Sequence, residues 1–76
     1  MMIIKLKVKS GKEILNATFE VFNANGELKC IEMRINGDIQ HNKTRDQYFE
    51  TNKIELMESY NDAVVINSEN SNLSLI

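Results

Sequence analysis

Residues 14–35 read ILNATFEVFNANGELKCIEMRI, and this stretch sets the architecture of the chain. Two segments rich in apolar and β-branched residues, 14–23 and 27–35, flank the turn sequence NANG. This pattern predicts two antiparallel strands joined in a hairpin. Because side chains alternate along a strand, we expect Phe19 and Val21 on one face of the sheet.

The length of the hairpin loop follows from the register of the apolar residues. A two-residue loop at 25–26 would pair Phe19 with Glu32. A three-residue loop at 24–26 would instead pair Phe19 with Ile31 and places Gly26 where a left-handed residue is needed. The sequence therefore predicts the three-residue loop.

The same register predicts a second apolar patch. Phe22 pairs with Leu28 on the face opposite Phe19, and Cys30 extends that patch. A sheet that is apolar on both faces needs a cover, which could be a barrel closure, the segment 44–60 or another subunit. We therefore expect Phe22 and Leu28 to contact a partner protein or a second copy of the chain.

Residues 2–9 alternate between apolar residues and lysines, which is typical of a half-buried strand. One face carries Met2, Ile4, Leu6 and Val8, and the other carries Lys5, Lys7 and Lys9. Residues 10–12 read as the turn that follows this strand. A second turn, at 36–38, is also predicted to be a three-residue loop, because that register places Ile39 beside Ile35.

Residues 43–60 fit two interpretations. Thr44 and Gln47 match a capping box, the signature of a helix start. A helix would align Tyr48, Phe49, Leu56 and Tyr60 on one stripe. However, Thr51 and Asn52 interrupt the helical pattern and Ile54 would face solvent. We therefore prefer a strand here and keep a helix as the alternative.

The chain of 76 residues is predicted to be a single domain, 1–76, because two domains would each be too short to bury a core. Further strands are predicted at 63–67 and 73–76. The predicted fold class is mostly β, a small antiparallel sheet or barrel of five to six strands. The alternative is an α+β fold with one helix in about 44–60.

The stretch VKSGKEI at 8–14, running on to TFEVF at 18–22, resembles the opening of small Sm-like and SH3-like barrels. In those barrels a strand, a glycine turn and a bent second strand begin the fold. The resemblance covers less than half of the chain and implies a closed barrel. The Asp and Asn loop residues with which Sm proteins read RNA have no counterpart here, nor does their closing Arg-Gly pair.

Catalytic residue types are scarce in this chain. The only cysteine and the only histidine, Cys30 and His41, could in principle form a nucleophile–base pair. In the predicted register they point to opposite faces of the sheet. One cysteine and one histidine do not complete a zinc site either. We therefore expect a protein that is not an enzyme, with no catalytic residue, no metal site and no cofactor.

Charge is distributed unevenly along the chain, although the net charge is only −2. Residues 1–12 contain four lysines and no acid; these are Lys5, Lys7, Lys9 and Lys12. They could follow a nucleic-acid backbone, or they could protect an edge strand from aggregation. Three carboxylates near the other end, Glu55, Glu58 and Asp62, could instead contact a basic partner protein.

These features favour a non-enzymatic binding protein that modulates another protein. Usage of Ile, Lys, Asn and Glu suggests AT-rich codons, so a phage or mobile-element accessory protein is expected, such as an anti-CRISPR-like inhibitor of host defence. The alternatives are a nucleic-acid-binding small β-barrel that uses the four lysines, and a structural homo-oligomer subunit. We expect a cytoplasmic location, because Lys5 interrupts the apolar N-terminus before a signal peptide can form.

Overall fold

The computed structural model describes residues 1–62. They form four strands, β1 (Met2–Ser10), β2 (Glu13–Ala24), β3 (Glu27–Ile35) and β4 (Asp38–Ile39), followed by two helices, α1 (Asn42–Thr51) and α2 (Lys53–Asp62). The strands make one antiparallel sheet in the order β1-β2-β3-β4. The mostly-β class is confirmed, and the α+β alternative is compatible with it. The strands predicted at 63–67 and 73–76 lie outside the described residues.

The sheet is open, so the closed barrel implied by the resemblance is wrong. β1 and β4 lie at opposite edges, and the described part of the chain contains four strands. β4 has only two residues, after which the chain turns into α1 instead of extending the sheet. The helices that follow cover one face of the sheet and do not close it.

The loops between β2 and β3 and between β3 and β4 each contain two residues, so the predicted three-residue loops are wrong. Ala24 pairs with Glu27 and Ile35 pairs with Asp38. Each loop is an Asn-Gly pair in which both residues have positive φ. The angles are 55° for Asn25 and 83° for Gly26, and 51° for Asn36 and 91° for Gly37. Asn and Gly accept this left-handed conformation, which gives the turn whose twist matches the strands. Ile39 consequently lies opposite Arg34, with 59% of it exposed.

A β-bulge in β3 shifts the register by one residue. Without it, the two-residue loop would pair Phe19 with the polar Glu32. Val21 pairs with Cys30, but the next residue of β2, Glu20, pairs with Glu32. Ile31 is therefore the extra residue of the bulge. Beyond it Phe19 lies opposite Met33, so the predicted pairing of Phe19 with Ile31 is wrong.

The bulge also removes the second apolar patch. Because of the bulge, Leu28 and Met33 both point to the core face of the sheet, so Leu28 lies in the same core as Phe19, with 4% of it exposed. Leu28 pairs with Asn23, and Phe22 pairs with Lys29. The predicted patch of Phe22, Leu28 and Cys30 is therefore wrong.

The prediction for the N-terminal strand is confirmed. β1 pairs with β2 along its whole length, from Met2 opposite Val21 to Ser10 opposite Glu13. Met2, Ile4 and Val8 are buried and Leu6 packs beside them. The lysines of β1 are exposed. The turn expected at 10–12 is confirmed too, since Gly11 and Lys12 link the strands.

Residues 43–60 are helical, so the preferred strand interpretation is wrong. Phe49 and Leu56 are buried and Tyr48 and Tyr60 pack against them, as the helical alternative predicts. The polar pair Thr51-Asn52 marks the break between α1 and α2, so two helices occupy the segment where the alternative predicted one. Asn52 stabilises the end of α1, because its side-chain amide donates to the Tyr48 carbonyl at 2.9 Å.

The start of α1 also differs from the predicted capping box. His41, not Thr44, is the N-cap residue, and its Nδ1 accepts the backbone N–H of Thr44 at 3.2 Å. This bond satisfies one of the N–H groups that the first turn of a helix leaves free.

One continuous core fixes the two helices on the sheet. It contains the buried residues Met2, Ile4, Val8, Ala17, Phe19, Val21, Leu28, Met33, Phe49 and Leu56. α1 contacts β3 and α2 contacts β1. In residues 1–62 the opposite face of the sheet is not covered by either helix. No helix in this part of the chain has the length and apolar character to cross a membrane.

Candidate binding surfaces

The one cysteine and the one histidine serve the local structure. The Cys30 thiol donates to the carbonyl of Glu32 at 3.4 Å, and burial raises the pKa of this thiol. The His41 ring contacts Thr44 at the start of α1. Residues 1–62 also hold no group of three or more His, Cys, Asp or Glu side chains placed to bind a metal ion.

A crevice of about 240 Å³ lies between β3 and the helices, beside Cys30. Its cationic groups are already engaged. Arg45 donates to the Ile31 carbonyl at 2.8 Å and pairs with Asp46 at 3.0 Å. The Lys53 ammonium lies 5.9 Å from the centre of the Phe49 ring. These contacts connect the sheet to the helices, and they leave the crevice little unpaired positive charge.

The predicted lysines lie on the uncovered face of the sheet. Lys5, Lys7 and Lys9 alternate along β1, and Lys12 lies in the following turn. All four side chains are exposed, and in residues 1–62 none of them forms an ion pair. β1 is an edge strand, and lysines on an edge strand protect a sheet against aggregation.

A shallow trough of about 260 Å³ runs beside these lysines. Its side-chain walls on this face are Lys5 and Lys7 from β1 and Asn16 and Thr18 from β2. Arg34 lies opposite Thr18 on its β3 side and pairs with Glu32 at 3.0 Å. We call the surface formed by Lys5, Lys7, Lys9, Asn16 and Thr18 the lysine face.

The predicted carboxylates lie together on the outer face of α2. Glu55, Glu58 and Asp62 are exposed and spaced three and four residues apart, so they share one side of the helix. Ile54 and Met57 border them, with 75% and 41% exposed. We call these five residues the α2 outer face.

The sequence identified the carboxylates but missed their apolar neighbours. On sequence alone, an isoleucine that would face solvent, Ile54, argues against a helix. The helical period of α2 was the signal that could have placed Ile54 and Met57 beside Glu58. Of the other predicted contact residues, Phe22 lies half-buried on the lysine side of the sheet and Leu28 lies in the core.

The chain matches no protein-family model, no curated protein and no solved structure. Its candidate surfaces are therefore defined by their own geometry and charge. The lysine face and the α2 outer face lie on opposite sides of the molecule. The helices pack on one face of the sheet and the lysines lie on the other, so the sheet and the helix layer separate the two surfaces.

Proposed function

We propose that this chain is a non-enzymatic binding protein that modulates a partner protein through the α2 outer face. The observation that carries the proposal is the exposure of Ile54, of which 75% is accessible, beside three carboxylates. A contact of this kind combines an apolar centre with a charged rim, which is the usual anatomy of protein interfaces.

Each part of the α2 outer face has a physical role in this proposal. Burying an isoleucine side chain stabilises a complex by roughly 1.5–3 kcal/mol. Glu55, Glu58 and Asp62 attract a basic surface and increase the rate of encounter. The proposed partner surface is therefore basic, with an apolar pocket that accepts Ile54.

The broader assignment to phage or mobile-element accessory proteins remains a prediction from composition. An inhibitor of host defence would need no catalytic group of its own, since occupying a partner's functional surface is sufficient. Identification of the bound protein tests this assignment.

The experiment is affinity capture from a lysate of the source organism after nuclease treatment, with mass spectrometry. Wild-type protein is compared with E55K/E58K and with E13K/D38K, which makes the same charge change at exposed positions outside α2. We expect a protein that wild type and E13K/D38K retain and E55K/E58K loses. A captured protein retained equally by all three would contradict the proposal, as would the absence of any specific protein.

A second variant tests the apolar part of the contact. I54S removes the exposed side chain without touching the core, so the fold is expected to be unaffected. Loss of its burial should weaken the affinity for the captured protein by roughly 10- to 100-fold. An unchanged Kd would place the contact elsewhere.

A further inference from the structure

We infer that the lysine face binds an extended single-stranded nucleic acid through its phosphates. This surface lies on the other side of the molecule from the α2 outer face, so the inference is independent of the proposed protein partner. Lys5, Lys7 and Lys9 of β1 supply the positive charge. Asn16 and Thr18 of the neighbouring β2 supply neutral hydrogen-bond donors.

The spacing of the lysines suits a linear polyanion. Alternate residues of a strand are about 6.6–6.8 Å apart and point to the same side. The flexible stems of Lys5, Lys7 and Lys9 can therefore reach successive phosphates of a strand laid along β1. A duplex would curve away from this straight row, which favours a single strand as the occupant.

The charge of these lysines is available to a ligand. Three other cationic side chains in residues 1–62 are engaged internally, since Lys29, Arg34 and Arg45 each form an ion pair. Lys5, Lys7 and Lys9 form none within this part of the chain. When these lysines neutralise phosphates, the counterions held on the nucleic acid are released, which drives binding at low salt.

The residues beside the lysines support a binding role over edge protection alone. Charge on the edge strand is enough to prevent aggregation and requires nothing of β2. Here Lys5 lies opposite Thr18 and Lys7 lies opposite Asn16, so the trough wall formed by β2 carries polar groups that can donate to phosphate oxygens.

The chemistry of the trough also determines the type of recognition. Its lining contains no aromatic ring on which a base could stack. At one end, Glu20 and Glu32 face each other across β2 and β3 and separate the trough from Phe22. Binding should therefore be independent of sequence and strongly dependent on salt.

The test measures fluorescence anisotropy of a labelled oligothymidylate of about 15 nucleotides, a length within the range that small single-strand-binding domains cover. Titrations are made between about 50 and 200 mM salt. Variant K5Q/K7Q is compared with K43Q/K53Q, which removes the same charge from the helices. Circular dichroism verifies that both variants are folded.

We expect wild-type binding to weaken steeply with salt. K5Q/K7Q should weaken binding about tenfold at low salt. The slope of the logarithm of the binding constant against the logarithm of the salt concentration should become about 1.4 less steep, since each contact with a phosphate of a single strand contributes about 0.7 to it. K43Q/K53Q should stay within about twofold of wild type. Equal losses in both variants would mean that net charge alone acts, and would overturn the inference.

Two other results would also overturn it. One is the absence of wild-type binding at the lowest salt concentration. The other is displacement of the oligonucleotide by polyglutamate of equal charge at equal concentration, which would make an acidic protein segment the natural occupant. Neither result bears on the α2 outer face, so the proposed function and this inference fail separately.

Discussion

At the scale of single residues, Ile31 and Arg45 connect the register of the sheet to the position of the helices. Ile31 is the extra residue of the β3 bulge. Its carbonyl accepts a hydrogen bond from the Arg45 guanidinium at 2.8 Å, across 14 residues of sequence. A bulge interrupts the ladder locally, and here a side chain from α1 binds the carbonyl of the bulge residue.

Arg45→Ala should destabilise the fold, because it removes a charge-assisted bond between α1 and β3. We expect the free energy of unfolding to fall by about 1.5–3 kcal/mol, the usual contribution of a bond to a charged group. Urea unfolding measures it. Lys43→Ala, an exposed position on the same helix, is the control and should change stability by less than about 0.5 kcal/mol. Equal effects of the two substitutions would show that the bond contributes nothing.

Cys30 gives a pH dependence whose direction follows from its burial. Burial raises the pKa of the thiol above its ordinary value of 9.0. The folded state therefore binds this proton more tightly than the unfolded state. The resulting stabilisation is complete below the unfolded pKa and is lost as the pH rises through the folded pKa.

The measurement compares wild type and Cys30→Ala by urea unfolding from about pH 7 to pH 10, a range that spans the thiol pKa. Wild type should lose stability relative to Cys30→Ala above the ordinary thiol pKa, because only wild type ionises a buried group there. Groups that both proteins share cancel in the difference. Parallel pH profiles would contradict the burial of the thiol.

At the scale of the elements, regular alternation was predictable and its interruption was not. The strand over 2–9 follows directly from the alternation of apolar residues and lysines. In β3 the order Leu28, Cys30, Met33 switches from even to odd positions. A single change of phase can be absorbed by a longer loop or by a bulge, and the positions of the apolar residues alone favour the loop. The Asn-Gly pairs favour two-residue turns, so the bulge takes the extra residue.

The two helices could not be predicted from local sequence pattern either, for a different reason. Residues 54–60 also alternate over a short run, which a strand explains as well as a helix does. The deciding contacts are those of Phe49 and Leu56 with the sheet, and these depend on tertiary structure that local pattern does not contain. The α2 outer face exists only if this segment is a helix, so local sequence pattern does not predict it.

Deletion of Ile31 should therefore be tolerated. Without it, the ladder continues from Val21–Cys30 to Glu20–Glu32 with the core residues still facing inward. We expect cooperative unfolding, with a loss of at most about 3 kcal/mol from the missing Arg45 bond. Circular dichroism and urea unfolding measure both properties.

Deletion of Thr18 is the matched control. It removes one residue from β2, which is paired on both sides without a bulge at that position. The residues on one side of the deletion then face the wrong way, so we expect loss of the cooperative fold. If the Ile31 deletion unfolds in the same way, the bulge is required for folding and the proposed register correction is insufficient.

At the scale of the whole molecule, the fold places a positively charged surface, the lysine face, and a negatively charged one, the α2 outer face, far apart. The net charge of only −2 does not reveal this separation. The helices cover one face of the sheet through a shared core and present the α2 outer face to solvent. The lysine face lies on the opposite side of the sheet. Because the sheet and the helix layer stand between them, the partners that we propose for the two surfaces would not obstruct each other.

The measurement that tests this account most directly is a two-stage NMR titration of the ¹⁵N-labelled chain. The oligothymidylate is added first and the protein captured from the lysate second. We predict that the oligonucleotide shifts amide resonances of β1 and β2 around Lys5, Lys7 and Thr18, and that the captured protein shifts those around Ile54 and Glu58. Overlapping sets of shifted resonances, or a second partner that displaces the first, would contradict the assignment of two independent surfaces.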